Sequence, residues 1–139
     1  QENLADTYFY RDDLKSLSND LPVYAENWFS SGAMYSTAAD LMKFSNALYD
    51  NRLIKQDSLA LMLKPGLDDY GYGLWIDKFK VNGKAVIAYR RPGRIMGAQT
   101  MLIHYPGAGL SIIVLSNGGD ASPDDFAFAV GKKILERKR

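Results

Sequence analysis

The chain has 139 residues, of which 47% are hydrophobic and 24% are charged, and its formal net charge is +1. These values are typical of one ordinary globular domain and argue against a disordered chain, a membrane protein or a nucleic-acid binder that works by its overall field. The absence of cysteine excludes disulfides and thiolate metal sites but leaves the cellular compartment open. No apolar run approaches the ~18 residues of a membrane span, and we expect any export signal to precede Gln1.

The first 30 residues are rich in polar residues and show little periodicity, which predicts an irregular surface connection. A connection of this length is unusual inside a compact domain, so we expect it to shape a binding surface or to join a further part of the protein. Aromatic residues are expected to anchor it: Tyr8, Phe9, Tyr24, Trp28 and Phe29.

Two helices are predicted within residues 31–66. Thr37 is the expected N-cap of the first, with Asp40 three residues later as a short variant of the capping box. This helix should end near Asp50-Asn51. Its apolar residues at helical spacing are Leu41, Phe44, Ala47 and Leu48.

The second helix is predicted from Asp57 to Lys64. Pro65-Gly66 should stop it, because proline cannot continue the hydrogen-bonding pattern. Its apolar residues are Leu59, Leu61, Met62 and Leu63.

Residues 70–117 predict an antiparallel sheet of about four strands in simple up-and-down order. The first strand is expected over Tyr70–Ile76, where alternation and aromatics favour β-structure. Asn82-Gly83 is a strong signal for a two-residue hairpin turn. Further turns are expected at Arg91–Gly97 and at Pro106–Gly109.

A final helix is predicted over residues 122–137. Ser122 is its expected cap, Pro123 suits the first position, and the carboxylates of Asp124 and Asp125 suit the helix dipole. Together the elements predict an α+β fold in which helices flank an antiparallel sheet. The expected apolar face is Phe126, Ala127, Val130 and Ile134, and the basic ending, expected to be a solvated cap, is Lys132, Lys133, Arg137, Lys138 and Arg139.

The segment Arg90–Gly97 concentrates three arginines and two glycines between two strand-like runs. A sheet edge beside glycines leaves backbone N–H groups free, and guanidinium groups attract anions. The segment therefore predicts a site for a carboxylate or an oxyanion. The alternative is a solvated hairpin whose arginines serve solubility.

The sequence contains few residues in patterns typical of a metal site or of a pair of catalytic carboxylates. His104 is the one histidine, and it is expected to be a packed strand residue rather than a metal ligand. The paired carboxylates at Asp12-Asp13, Asp68-Asp69 and Asp124-Asp125 are expected to face water. We therefore expect no metal site and no cofactor.

Four segments of the chain resemble a known family. They are Gly32–Phe44, Tyr72-Gly73-Leu74-Trp75, Gly93 with Gly97, and Leu115-Ser116-Asn117. In this order they resemble the C-terminal half of the serine β-lactamase-like family, which groups class C β-lactamases, D-alanyl-D-alanine carboxypeptidases, which are penicillin-binding proteins, and related esterases. Leu4–Tyr10 resembles the family segment just before this region.

The resemblance implies a substrate-binding strand. Family enzymes acylate the serine of a Ser-x-x-Lys motif, assisted by Tyr-x-Asn and by Lys-Thr-Gly or His-x-Gly on a sheet-edge strand. Arg91-Pro92-Gly93 occupies the third motif, and the resemblance implies that Gly93 and the Arg94 N–H lie on the oxyanion side. Arg91 suits a carboxylate but cannot shuttle a proton, and Pro92 removes a backbone donor.

The nucleophile motif is missing from the sequence. No serine is followed three residues later by lysine, and we interpret the Tyr-x-Asn letters at Tyr49-Asp50-Asn51 as a chance match. The resemblance therefore implies no catalytic residue within this chain, and the chain alone is expected to be inactive.

Three functions remain open at this point. The chain is the C-terminal part of a serine hydrolase acting on a β-lactam, a D-Ala-D-Ala peptide or an ester, or a non-catalytic relative that binds a ligand, or a fragment that pairs with a polypeptide carrying the nucleophile. The resemblance favours a periplasmic, secreted or envelope-anchored location. Leu110–Leu115 has no charge and no proline, so we expect self-association through this edge or its coverage by the first 30 residues. We expect no nucleic-acid partner.

Overall fold

A computed structural model describes residues 4–22, 24–32 and 34–137 and has the α+β fold that the sequence predicts. A four-stranded antiparallel sheet has the order β3-β4-β5-β6, and a separate two-stranded sheet pairs β1 with β2. The elements are β1 Tyr8–Arg11, β2 Ser16–Asn19, a 3-10 turn Ala25–Trp28, α1 Ala38–Tyr49, α2 Gln56–Met62, a 3-10 turn Leu67–Asp69, β3 Trp75–Val81, β4 Lys84–Ile95, β5 Ala98–Tyr105, a 3-10 turn Pro106–Ala108, β6 Leu110–Ser116 and α3 Pro123–Arg137. Within the described ranges, no helix has the length and hydropathy needed to cross a bilayer.

Helices lie against both faces of the larger sheet, and its inner strand β5 carries buried side chains on each face. Successive side chains of a strand point to opposite faces. Met101, Ile103 and Tyr105 pack with Ala127 of α3 on one face. On the other face, the ring of His104 stacks on Tyr49 of α1 with ring centroids 3.6 Å apart.

The start of α1 confirms the predicted cap. Thr37 Oγ1 accepts a hydrogen bond from the Asp40 N–H at 3.1 Å and donates one to the Asp40 carboxylate at 3.0 Å. Lys43 Nζ donates to the same carboxylate at 2.8 Å. The hydrogen bond from Lys43, and then that from Thr37, holds the pKa of Asp40 below its usual range. The helix ends at Tyr49, as expected.

The inward face of α1 includes a polar residue and excludes one of the apolar residues at helical spacing. Phe44 is 50% exposed, whereas Ser45 is fully buried and Leu48 is 7% exposed. Ser45 faces the sheet because it bonds to Ser111 there, and this contact turns the adjacent Phe44 side chain outward. Phe44, one of the apolar residues at helical spacing, therefore does not belong to the core.

The cap predicts a measurable loss. Thr37→Ala should lower the free energy of unfolding by about 1 kcal/mol, because an orphan N–H of the first turn loses its acceptor. Urea denaturation measures this value. Ser36→Ala is the matched control, since Ser36 Oγ bonds only to the carbonyl of Thr37 at 3.3 Å. An equal loss in both variants would contradict a capping role for Thr37.

The turns of the sheet are partly as predicted. Asn82 and Gly83 both have positive φ, 50° and 77°, as a tight hairpin turn requires, and Gly109 after the Pro106–Ala108 turn has φ 57°. The first strand begins only at Trp75, because Gly73 at φ 85° interrupts the extended backbone. The prediction of a strand from Tyr70 is wrong for residues 70–74, where Tyr70 makes only an isolated bridge to Trp75.

The two flanking helices differ in detail from the sequence prediction. Helix α2 spans Gln56–Met62 and so ends two residues earlier than expected. The carbonyl of Ser122 accepts from the Phe126 N–H at 3.1 Å, which confirms that α3 starts where predicted. Phe126 is 60% exposed, so its assignment to the apolar face of α3 is wrong. The buried positions of α3 are Pro123, Ala127 and Gly131.

The N-terminal segment is not wholly irregular. Residues 8–19 form the β1–β2 hairpin, which the sequence did not predict. Tyr8 donates its N–H to Asn117 O at 2.8 Å and accepts from the Gly119 N–H at 2.7 Å. The hairpin thus docks beyond the end of β6, and the expectation that the first 30 residues cover Leu110–Leu115 is wrong for the residues described.

Candidate functional site

Strand β4 runs past the end of β3 and leaves an open edge. The last pair between the two strands is Trp75 with Arg90, whereas β4 continues to pair with β5 as far as Ile95 with Ala98. Residues 91–95 therefore have a strand neighbour on one side only. Pro92 lies in this stretch, where a missing N–H is tolerated.

The predicted turn over Arg91–Gly97 is therefore wrong in its extent. Arg90–Ile95 is strand, and the turn is the two residues Met96-Gly97, with Met96 at φ 47°. The glycine and proline that favour a turn locally are held extended by the ladder with β5. Gly97 has no room for a side chain, because the backbone of Tyr8 lies where a Cβ would be.

The three arginines of this segment do not converge on one anion. Arg90 Nε donates to Asp77 Oδ2 at 2.7 Å and is thereby neutralised. Arg91 Nη1 donates to the Tyr70 hydroxyl at 3.3 Å, and its guanidinium lies 5.7 Å from the centre of the Trp75 ring. Arg94 Nη2 donates to Gly119 O at 3.3 Å. Arg91 and Arg94 project to opposite faces of the strand, because they are an odd number of residues apart.

A cleft of about 410 Å³ lies between the open edge and the first turn of α3. Three of the four predicted binding residues, Pro92, Gly93 and Arg94, line it, whereas Arg91 lies outside with Tyr70 and Trp75. The cleft carries both a guanidinium and carboxylates, so it suits a ligand with groups of both charges. Its other lining residues are Gln99, Ala121, Ser122, Pro123, Asp124 and Asp125.

Gln99 fixes one wall of this cleft. Its side chain is 8% exposed, and its Nε2 donates to Gly119 O, the carbonyl that also accepts from Arg94. Gly93 lies opposite Thr100 in the ladder, and Thr100 Oγ1 occupies the space that a side chain at Gly93 would need. The wall at Gly93 is consequently bare backbone.

A second group of polar side chains lies between α1 and the sheet. Ser45 Oγ lies 2.8 Å from Ser111 Oγ, which in turn lies 2.8 Å from His104 Nδ1. Burial lowers the pKa of His104, and the nearby Asp50 partly opposes this shift. The sequence prediction that His104 is a packed strand residue is confirmed, since it is 9% exposed.

This group contains a serine–histidine contact but lies away from the cleft. A serine next to a histidine is the arrangement by which enzymes activate a nucleophile. The serine that contacts His104 is Ser111, which is half-buried, whereas Ser45 on α1 is fully buried. None of the three residues lines the cleft beside the open edge of β4. Their contacts join helix α1 to strands β5 and β6. The pairing of His104 with Ser111 follows from their symmetric positions about the Pro106–Gly109 turn, which is the sequence signal that could have revealed it.

Tyr49 belongs to this buried group and does not reach the cleft. Its ring stacks on His104 and lies 6.1 Å from the ring of Tyr89. Burial, and then Tyr89, raises the pKa of Tyr49 above its ordinary value. The Tyr-x-Asn letters at Tyr49 thus lie on a packing residue, in keeping with a chance match.

Among the residues that the structure describes, no three histidine, aspartate or glutamate side chains cluster as metal ligands would.

Comparison of the chain with family models, with curated proteins and with solved structures finds no match. What the fold and the site define is therefore an α+β domain with an open strand edge beside a polar cleft.

Proposed function

We propose that this chain is the C-terminal part of a serine hydrolase of the β-lactamase-like family. The parent protein would act on an amide or ester, such as a β-lactam, a D-Ala-D-Ala peptide or a simple ester, and this chain would supply the sheet-edge wall of its site. The observation that supports the proposal is the open edge of β4 at residues 91–95. Arg91-Pro92-Gly93 lies on that edge, where the resemblance to the Lys-Thr-Gly or His-x-Gly motif implies it should lie.

The edge suits the stabilisation of charge rather than the transfer of protons. An acyl-transfer reaction develops negative charge on the substrate carbonyl oxygen, and backbone N–H groups stabilise it. We assign that role to the Arg94 N–H beside Gly93. Arg91 suits the binding of a substrate carboxylate, but its guanidinium stays protonated near neutral pH. The nucleophile and the proton carrier must come from other sequence.

A second function, binding without catalysis, is favoured by the surroundings of Arg91. Its guanidinium is held by the Tyr70 hydroxyl and by the face of Trp75, both neutral groups that orient the charge without cancelling it. A preorganised arginine of this kind recognises a carboxylate whether or not chemistry follows. Pairing with a separate polypeptide that carries the nucleophile is the third possibility.

The isolated chain should show no hydrolysis. No serine in it belongs to a Ser-x-x-Lys motif. Incubation with a chromogenic β-lactam should give no turnover, and incubation with a serine-directed fluorophosphonate should give no mass increase on the intact protein. Stoichiometric labelling would contradict the proposal that the nucleophile lies elsewhere. A Ser-x-x-Lys at a helix start earlier in the reading frame supports the hydrolase, and its absence there supports the binding function.

The open edge should bind a carboxylate. Titration with N-acetylated D-Ala-D-Ala should shift the backbone amide signals of Gly93 and Arg94 in NMR spectra. Arg91→Ala should weaken binding roughly tenfold, because a charge-assisted hydrogen bond contributes about 1.5–3 kcal/mol. Arg52→Ala is the matched control, since Arg52 pairs with Asp50 away from this edge. Equal effects of the two substitutions, or shifts confined to other strands, would contradict the assignment.

A further inference from the structure

We propose that Tyr70 is a second carboxylate-binding residue of the candidate site, and that its hydroxyl donates a hydrogen bond to the same substrate carboxylate as Arg91. This inference rests on the proposed function, because it takes the open edge of β4 as the substrate-binding edge. Tyr70 lies outside the segments on which the family resemblance rests, so the resemblance assigns it no role.

The chemistry of the two groups fixes the direction of the hydrogen bond between Arg91 and Tyr70. Arg91 Nη1 lies 3.3 Å from the Tyr70 hydroxyl oxygen. A guanidinium group has N–H donors and no acceptor, so the hydroxyl oxygen is the acceptor in this contact. Its own proton must then point elsewhere. Among the residues that the structure describes, no atom accepts that proton, so it is available to a ligand beside Arg91.

Arg91 keeps a charge that no neighbouring carboxylate cancels. The adjacent Arg90 is paired with Asp77 at 2.7 Å, whereas Arg91 forms no ion pair within the described part of the chain. The Trp75 ring, 5.7 Å from the Arg91 guanidinium, orients the cation without neutralising it. An incoming carboxylate therefore meets a guanidinium and a hydroxyl side by side, and its two oxygens can accept from both.

Tyr70 and Arg91 lie where the open edge of β4 begins. The last pair between β3 and β4 is Trp75 with Arg90, and Tyr70 forms an isolated bridge to the same Trp75. Arg91 is the first residue of β4 beyond that pair. The two donors therefore bound the open edge at its β3 end. A substrate would place its carboxylate at this end and its reacting carbonyl farther along the edge, near the Arg94 N–H.

The backbone before Tyr70 holds this residue in a defined position. The Tyr70 N–H donates to Leu67 O at 3.0 Å, and the Tyr70 carbonyl accepts from the Gly66 N–H at 2.9 Å. Between these two contacts, Asp68 and Asp69 both have positive φ, 54° and 55°. Non-glycine residues keep such a conformation only where surrounding contacts enforce it, and such residues cluster at ligand-binding sites.

The side chain of Tyr70 is held as well. Its ring packs edge-on against the Trp75 ring, with centroids 4.7 Å apart and an interplanar angle of 71°. Lys78 Nζ on β3 donates to Asp69 Oδ1 at 2.9 Å, which joins the preceding turn to the sheet. A hydroxyl positioned in this way loses little conformational entropy when it binds a ligand.

Tyr70→Phe tests the proposed donor, because it removes the hydroxyl and retains the ring. In NMR titrations of the full chain with N-acetyl-D-Ala-D-Ala, it should raise the Kd about fivefold, the effect of one lost hydrogen bond. Tyr72→Phe is the matched control, since Tyr72 is 67% exposed, and it should leave the Kd unchanged. N-acetyl-D-Ala ethylamide lacks the carboxylate, so Tyr70→Phe should not alter its binding. Thermal unfolding of each variant checks that it is folded.

A double substitution separates a direct contact with the ligand from an effect that acts through Arg91. If the hydroxyl itself donates to the carboxylate, Tyr70→Phe should still raise the Kd at least about twofold when Arg91→Ala is also present. Loss of the Tyr70 effect in that background would overturn the proposal. Complete loss of binding in Arg91→Ala alone would overturn it too, because Tyr70 would then supply no contact of its own.

Failure of this role for Tyr70 can be told apart from failure of the proposed function. Unchanged binding in Tyr70→Phe, together with weaker binding in Arg91→Ala, would overturn the role of Tyr70 and leave the proposed function standing. An unmodified chain that does not bind the dipeptide would overturn both. A reading frame without Ser-x-x-Lys would remove the hydrolase, whereas the expected effect of Tyr70→Phe on carboxylate binding would stay the same.

Discussion

Gly131→Ala is expected to lower the free energy of unfolding by about 1–3 kcal/mol, as overpacking of a core does. Gly131 is buried within α3, and the ring and hydroxyl of Tyr105 occupy the space that a Cβ would need. Alanine is normally preferred to glycine inside a helix by about 1 kcal/mol. The cost of overpacking should exceed this gain in helix propensity, because Tyr105 is 1% exposed and enclosed by the core. Its ring therefore has little space to move.

Urea denaturation measures the effect, and two further variants isolate its cause. Gly107→Ala is the matched control, because no atom lies within 4 Å of the place of its Cβ. Tyr105→Phe should reduce the loss caused by Gly131→Ala, since it removes the closest atom. Stabilisation by Gly131→Ala would show that helix propensity outweighs this contact.

Tyr105→Phe alone tests what a buried hydroxyl without a hydrogen-bond partner contributes to the free energy of unfolding. The Tyr105 hydroxyl is buried and has no hydrogen-bond partner among the described residues. Burial, and then Asp77, raises the pKa of Tyr105 to about 12, so the phenol stays neutral at ordinary pH. Because the substitution removes no hydrogen bond, it should be neutral or stabilising by about 1 kcal/mol.

Stability should fall as the pH drops below about 6.5, the ordinary pKa of an unfolded histidine. Burial lowers the pKa of His104 in the folded state, so the unfolded chain binds a proton that the folded chain does not. The stability of the neutral form is fully present above the unfolded pKa and is lost as the pH falls toward the folded pKa. The slope is at most about 1.4 kcal/mol per pH unit over that window.

His104 is the one histidine in the sequence, which makes the measurement specific. Urea denaturation between pH 7.5 and 5.5 avoids most carboxylate titration, whose ordinary pKa values are about 4. His104→Gln retains a polar partner for Ser111 and should remove the pH dependence in this range. If the chain without this substitution had the same free energy of unfolding at both pH values, burial of the neutral His104 ring would be contradicted.

Local signals in the sequence were sufficient wherever neighbouring residues determine the backbone. Thr37 caps α1, Asn82-Gly83 makes the tight hairpin turn, and Pro106 with Gly109 makes the next turn. In each case a side-chain acceptor, a fixed φ or a positive φ acts within four residues. Such preferences can be read without knowing what lies on either side of the element.

Predictions failed where contact with a distant element decides which side chains are buried or which backbone stays extended. Phe44 and Phe126 have the hydrophobicity of core residues, but the sheet meets the helix faces beside them. Arg90–Ile95 reads locally as a turn, yet pairing with β5 keeps it extended. Local preferences of this kind are weak, and tertiary contacts override them.

The candidate site shows the same division. The family resemblance implies an oxyanion-side role for Gly93 and Arg94, which stays a prediction, and the structure shows both residues at an open strand edge beside a cleft. The sequence did not predict the separation of Arg91 from Arg94, which follows from the alternation of side chains along a strand. Nor did it predict that Ser111 contacts both His104 and Ser45, which joins the sheet to a distant helix.

The sequence by itself determined the order of the helices and of the four strands of the larger sheet, most of the turns and the absence of a Ser-x-x-Lys nucleophile, because these depend on residue types and short spacings. Only the tertiary structure decided which faces of the helices are buried and where β4 extends beyond the end of β3, leaving an open strand edge. Those features depend on contacts between residues far apart in the chain, and the free energy of such contacts exceeds that of any local preference.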